Sequence, residues 1–174
     1  MSSKKINEEI AKLRSTGGRV YLPCREYKLS ETLKIESPCI KLCGEAWNYS
    51  SDPNGVFPSP YGTKLRVLTD LPAISVAENG LAAGVVVTDI GICGNAEGMD
   101  TVPLLLPDKT KNSGLAFVGE SVDQGEFSKL SFCGLGVAVC VTGKAELDAC
   151  SFEKLNTDGC CIGVYFKPKA SYYT

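Results

Sequence analysis

The chain has 174 residues, enough for one domain with a substantial core, and 44% of them are apolar against 22% charged, which excludes a disordered chain. The net charge is −2 with acids and bases interspersed, so neither a basic nucleic-acid face nor a polybasic membrane tail is expected. There is no histidine, which rules out Ser-His or Cys-His nucleophile pairs, His-ligated zinc and imidazole acid–base chemistry within this chain.

The first predicted element is a capping helix over residues 4–16. Ile6, Ile10 and Leu13 fall at i, i+4 and i+7 on one apolar stripe. Glu8 and Glu9 lie early and Lys12 and Arg14 late, as the helix dipole favours, and Glu8 can pair with Lys12. Gly17-Gly18 ends the helix. Short strands follow. Val20-Tyr21-Leu22, Thr32–Ile35, Ile40-Lys41-Leu42, Lys64–Val67 and Ile74-Ser75-Val76 alternate with period two, and Val85-Val86-Val87 leads into Ile90-Gly91-Ile92. No second helical pattern of useful length appears, so βαβ nucleotide folds are not expected. Gly136–Lys144 is not a phosphate loop, because six residues separate its glycines and Ala145 stands where Ser or Thr is required.

A repeat organises the second half. Gly114-Leu115-Ala116-Phe117, Gly136-Val137-Ala138-Val139 and Gly159-Cys160-Cys161-Ile162 look like one strand written three times, at spacings of 22 and 23. Between them, Phe127–Phe132 matches Leu147–Phe152 at an offset of 20, and Thr88–Ile92 fits the same template. A loop rich in Pro, Asp and Lys around residues 96–112 displaces it. Two strand types recurring in step predict an all-β right-handed parallel β-helix of five or six coils, each a little over 20 residues, spanning 18–166 within one domain, 1–174. Two stacked ladders are expected inside it, Ile90/Leu130/Cys150 and Ile92/Phe132/Phe152. The chain ends with no second cap in view, so it is expected to be incomplete at its C-terminus or covered there by association.

The segment from Gly17-Gly18-Arg19-Val20-Tyr21-Leu22-Pro23 through Tyr27-Lys28-Leu29, Thr32-Leu33-Lys34-Ile35 and Ile40-Lys41-Leu42-Cys43-Gly44 resembles the opening coil of the pectate-lyase-like right-handed parallel β-helix superfamily. It departs from that pattern in the turn after Pro23, which lacks the family's usual glycine. Val87–Asn95 resembles the family's recurrent strand and Gly-Asn turn, and Thr63–Thr69 is similar to inulin fructotransferase-type enzymes. The resemblance implies a carbohydrate-active protein: a polysaccharide hydrolase, lyase or fructotransferase-like enzyme. The alternatives are a non-catalytic module for carbohydrate binding or trimeric, tailspike-like assembly, and a truncated fragment without activity. The implied partner is an oligo- or polysaccharide, with a homotrimer or other homo-oligomer as the assembly. No cofactor and no metal are expected.

The inserted loop 45–62 holds the ligand-binding candidates Trp47, Tyr49, Asp52, Phe57 and Tyr61. Aromatic faces pack on sugar rings, and carboxylates and amides bind sugar hydroxyls. Catalysis would fall to carboxylates, at about 5–5.5 Å for retention or about 6.5–9.5 Å for inversion. Asp89, Glu126, Glu146, Asp148, Glu153 and Asp158 are the candidates, and no pair among them is singled out. The nine cysteines include no Cys-x-x-Cys pair and read as small buried ladder residues. Residues 1–9 reach charge where a signal peptide needs an apolar run, so a reducing, cytoplasmic setting is expected.

Overall fold

A computed structural model describes residues 1–47, 62–94, 112–119, 121–143 and 146–168. It holds one helix and, among the described residues, fifteen strands. The helix α1 spans Ser3–Lys12. The strands are β1 (Gly18–Leu22), β2 (Glu26–Leu29), β3 (Leu33–Ile35), β4 (Ile40–Gly44), β5 (Lys64–Val67), β6 (Ile74–Val76), β7 (Ala82–Ala83) and β8 (Val86–Cys93). Then come β9 (Ser113–Phe117), β10 (Ser121–Asp123), β11 (Glu126–Cys133), β12 (Val137–Gly143), β13 (Glu146–Asp148), β14 (Ser151–Asp158) and β15 (Ile162–Pro168).

Every pairing is parallel, and the strands form three sheets. A seven-stranded sheet runs β1-β4-β8-β11-β14, with β2 and β5 beside it; a five-stranded sheet runs β3-β6-β9-β12-β15; a three-stranded sheet runs β7-β10-β13. From β8 onward the chain visits them in a fixed cycle: seven-stranded, five-stranded, three-stranded, and back. Each circuit lies against the one before it.

Residue chemistry explains the cycle. The strands are rich in Val, Ile, Leu and Phe, and their inward positions merge into one core that includes Leu22, Leu42, Val87, Ile90, Ile92, Phe117, Phe127, Leu130 and Phe132. The corners are left-handed. Gly17, Cys39, Gly84, Gln124 and Ala149 have φ of 66°, 58°, 62°, 51° and 49°. Backbone bonds connect them from circuit to circuit: Gly18 N donates to Cys39 O, Cys39 N to Ala83 O, Gly84 N to Asp123 O and Gln124 N to Asp148 O. Three of these corners carry a Cβ, so the stacked hydrogen bonds outweigh a cost of roughly 1 kcal/mol at each.

A second left-handed position bends the long strands. Asp89, Lys129 and Lys154 have φ of 60°, 51° and 52° in the middle of β8, β11 and β14. The bend resets the alternation. Val87 and Ile90 both face the core, as do Phe127 and Leu130. In the earlier circuits the same sheet position is built from two strands, since β8 pairs with β4 through its first half and with β5 through its second.

The expected repeat is corrected here. Val137 pairs with Ser113, 24 residues away, and with Ile162, 25 away; Glu126 pairs with Ser151, again 25 away. The glycines that suggested 22 and 23 are not equivalent: Gly114 falls opposite Ala138, and Gly159 opposite Gly134. The expected ladders keep Ile90/Leu130 and Ile92/Phe132, but their third members are Leu155 and Thr157, not Cys150 and Phe152. Phe152 stacks under Phe127 instead. Lys154 takes the bend of Lys129, so Phe127-Ser128-Lys129-Leu130 aligns with Phe152-Glu153-Lys154-Leu155.

The helix is shorter than expected, ending at Lys12, with Gly17 N closing on Leu13 O at 2.8 Å. The Ser2 side chain caps its start, accepting from Lys5 N. Ile6 and Ile10 are buried as expected, and Leu13 packs against the core. Lys12 pairs with Glu9 at 2.7 Å rather than with Glu8. Asn7 fastens the helix to the first circuit: its Nδ2 donates to Thr32 O at 2.8 Å and Glu31 Oε1 at 3.3 Å, while its Oδ1 accepts from Lys34 N at 3.0 Å. Asn7→Ala is expected to destabilise the protein by about 1–3 kcal/mol in urea unfolding, with Asn7→Asp recovering only the bond to Lys34 N. Among the described residues no helix is long and apolar enough to cross a membrane.

Candidate functional site

The outer face of the seven-stranded sheet gathers most of the chemistry. Its residues alternate with the core ladders: Thr88, Gly91 and Cys93 on β8, Ser128, Ser131 and Cys133 on β11, and Glu153, Asn156 and Asp158 on β14. The left-handed bend divides this face into two zones.

The first zone is a polar row. Thr88 Oγ1 donates to Asp89 Oδ2 at 2.9 Å, and Ser128 Oγ donates to Glu126 Oε1 at 2.9 Å. The two hydroxyls themselves stand 3.0 Å apart. Lys129 Nζ lies 3.6 Å from Asp89 Oδ1. Two of the expected carboxylates, Asp89 and Glu126, are therefore joined through two hydroxyls. Glu153 is in register beside Ser128, on the next circuit. Cys43 is in register beside Thr88, and burial pushes its thiol upward, with Arg19, Lys41, Asp89 and Glu126 all within electrostatic reach. Glu146 and Asp148 are not part of this face, because they lie on β13 in the three-stranded sheet.

Proton counting gives the row a further property. Three contacts link Asp89, Thr88, Ser128 and Glu126, but the two hydroxyls supply one proton each. A third proton, on one of the end carboxyls, completes the set.

The second zone lies beyond the bend. Lys64 is in register with Gly91, and Arg66 with Cys93. Arg66 Nε holds Glu26 Oε2 at 2.9 Å. Lys64 is only 3% exposed, and its Nζ has no hydrogen-bond partner. A side chain on Gly91 would meet Ser131 Oγ at 3.2 Å and Lys64 Cγ at 3.6 Å, so the Lys64 stem runs across the glycine. Burial lowers the proton affinity of its ammonium. Asp158 sits in register with Cys133 at the far edge.

The insertion 45–62 leaves and rejoins the sheet beside both zones, between β4 and β5, where the sequence placed it. Its roots are tied down. Glu45 N donates to Thr63 Oγ1 at 2.9 Å, Thr63 N to Ala46 O at 2.8 Å, and Thr63 Oγ1 to Leu22 O at 2.8 Å. Trp47 follows this root, and its carbonyl accepts from Ser131 Oγ on β11. The other ligand-binding candidates, Tyr49, Asp52, Phe57 and Tyr61, lie outside the described residues.

The cysteines divide. No disulfide joins any of the nine. Cys43, Cys93, Cys133 and Cys140 are buried as expected, but Cys24 and Cys39 are exposed, because one follows a strand end and the other occupies a left-handed corner. Cys160 and Cys161 do not alternate across a strand; they lie in the turn between β14 and β15. Among the described residues no group of three or more Cys, Asp or Glu is arranged to hold a metal ion. A groove of about 630 Å³ lies elsewhere, along α1, and Asn7, Thr32 and Lys34 in its lining are the residues that fasten the helix.

Sequence reasoning missed the hydroxyls Thr88 and Ser128, and it missed Lys64. Their signal was available only through register, which places Thr88 beside Ser128 across 40 residues. Comparisons with protein-family models, with curated proteins and with solved structures found no match to this chain.

Proposed function

We propose that the chain is a right-handed parallel β-helix that binds an oligo- or polysaccharide on the outer face of its seven-stranded sheet and cleaves it by carboxylate acid–base chemistry. The cyclic order of parallel strands and the right-handedness of parallel crossovers support the architecture. The resemblance of residues 17–44 to the pectate-lyase-like opening coil supports the placement in that superfamily. The observation that carries the function is the row Glu126–Ser128–Thr88–Asp89. Lys129 beside Asp89 favours a carboxylate at that end, so the third proton belongs on Glu126. All hydroxyls then point one way, from Glu126 toward Asp89. Glu126 acts as the acid that protonates a leaving oxygen, and Asp89 remains the base or electrostatic partner.

A glycan panel tests this reading, scored for binding, for reducing-end release and for unsaturated-product absorbance. Turnover of at least one glycan is expected. Glu126→Gln keeps a hydrogen-bond donor, so it should retain binding while losing about 10²–10⁴ in rate. Asp89→Asn should weaken both. Wild-type binding without turnover would sink the enzyme and leave a carbohydrate-binding module. A panel with no binding at all sinks the carbohydrate reading.

One observation favours the assembly alternative. Val164 and Phe166 on β15 are 62% and 65% exposed, a surface suited to a homotrimer or other homo-oligomer. Sedimentation of the purified chain decides it. The absence of disulfides among nine cysteines supports a reducing, cytoplasmic setting.

A further inference from the structure

The second zone of the sheet face carries groups that carbohydrate chemistry does not use. Cys93 and Cys133 are register partners on β8 and β11, each the last residue of its strand. They form a small cluster of their own, 2% and 7% exposed, apart from the main core. Two cations flank them: Arg66, in register with Cys93, and Lys64, whose buried Nζ has no hydrogen-bond partner among the described residues. A buried ammonium without a partner is costly unless a negative group stands nearby for part of its working cycle.

We propose that Cys93 and Cys133 form a redox-active dithiol that reduces a hydroperoxide and closes to a disulfide, with Lys64 and Arg66 holding Cys93 as the attacking thiolate. The spacing permits it. Neighbouring strands lie about 4.7–4.9 Å apart, inside the about 4.4–6.8 Å range between the Cα atoms of a disulfide. The chains are already drawn together just past the pair. Gly94 N donates to Cys133 O at 2.8 Å, and a side chain on Gly94 would stand 2.0 Å from the Gly134 carbonyl oxygen.

The roles within the pair are asymmetric. The hydrogen bond from Cys133 lowers the Cys93 thiol, and the Arg66 and Lys64 charges add to this against its burial. The same hydrogen bond, then burial, pushes Cys133 upward. Cys93 is therefore the nucleophile and Cys133 the resolving thiol. The Cys93 sulfur attacks the outer oxygen of the hydroperoxide. An S–O bond forms, the O–O bond breaks, and the alcohol or water leaves with a proton. Cys133 sulfur then attacks the sulfenic Cys93. The S–S bond forms, the S–O bond breaks, and the hydroxyl departs as water with the Cys133 proton. Each sulfur is oxidised by one electron and the peroxide is reduced by two.

The test is disulfide mapping of the full chain after hydrogen peroxide treatment in native buffer, with remaining thiols alkylated in denaturant before digestion. One linked peptide pair carrying Cys93 and Cys133 is expected, lighter by about 2 Da and restored by dithiothreitol. Cys133→Ser should leave a sulfenic acid on Cys93 that dimedone traps. Lys64→Met should slow formation of the link about tenfold, while Lys64→Arg, which keeps the charge, should not. The proposal is overturned if the exposed Cys24 or Cys39 oxidises first, if the link joins any other cysteines, or if Lys64→Met leaves the rate unchanged.

Discussion

Phe127→Ala is expected to lower the free energy of unfolding by about 3–5 kcal/mol, and Phe152→Ala by only about 1–2 kcal/mol, although the two rings belong to one stack. Phe127 is fully buried at 0% exposure, whereas Phe152 is 37% exposed on the last described circuit. Phe127 meets Phe117 edge-on at 5.0 Å and Phe152 in a stacked arrangement at 5.1 Å, so its loss opens a cavity and removes both contacts. Phe152 also meets Phe117, at 5.9 Å, but from the open side, where water and neighbouring side chains can fill the space. In thermal unfolding the larger change corresponds to roughly 10 °C or more. Equal losses at the two positions would mean that the last circuit is as deeply buried as the fourth, contrary to the exposed pattern along β14.

Gly44→Ala is expected to cost about 3 kcal/mol or more. An added Cβ would stand 2.0 Å from the Asp89 carbonyl oxygen and 2.9 Å from Thr63 Cβ. The first obstacle is backbone, which cannot rotate away. Gly80→Ala is the control: the nearest atom to its Cβ is the Glu36 carbonyl oxygen at 4.0 Å, so the change should stay within about 1 kcal/mol either way. Gly44→Ala should also reach the polar row, because relieving the clash displaces Asp89 at its left-handed bend. Denaturant unfolding reads the first effect, and glycan binding by a stabilised background reads the second.

These contacts show how far the sequence could be read. The alternation in Thr32–Ile35, Ile40–Leu42 and Lys64–Val67 marked real strands, because one face of each is buried and hydrophobic pattern reports burial directly. The helix stripe was legible for the same reason. The repeat was visible but misaligned. Glycines attract the eye, yet Gly114 and Gly159 do different jobs, one in a strand and one in a turn. The left-handed bends at Asp89, Lys129 and Lys154 break period two inside β8, β11 and β14, and no residue type announces them. The better signal was Phe-x-Lys-Leu at 127 and 152, which keeps both the inward phenylalanine and the bend.

The site was less legible than the fold. Asp89 and Glu126 were among six candidate carboxylates, and composition could not join them, because the link runs through Thr88 and Ser128 on different circuits. Cys93 and Cys133 were indistinguishable from core thiols for a related reason. Their neighbours Lys64 and Arg66 arrive from a strand nearly 30 residues earlier, and register alone brings the charges to the sulfur.

The left-handed corner at Gly17, Cys39, Gly84, Gln124 and Ala149 has a consequence for how such a molecule grows. Both long insertions, 45–62 and 95–111, enter at other points of the circuit, and none interrupts this corner. From Gln124 to Ala149 is 149 − 124 = 25 residues, and the chain leaves and returns in the same backbone state. A stretch cut at two such corners is thus an interchangeable cassette. Duplicating or deleting one whole cassette leaves every neighbour with a partner of the same geometry, whereas a change of a single residue shifts the corner and turns the inward side chains of the following strand toward water. Length in this architecture is quantised at the spine and free everywhere else.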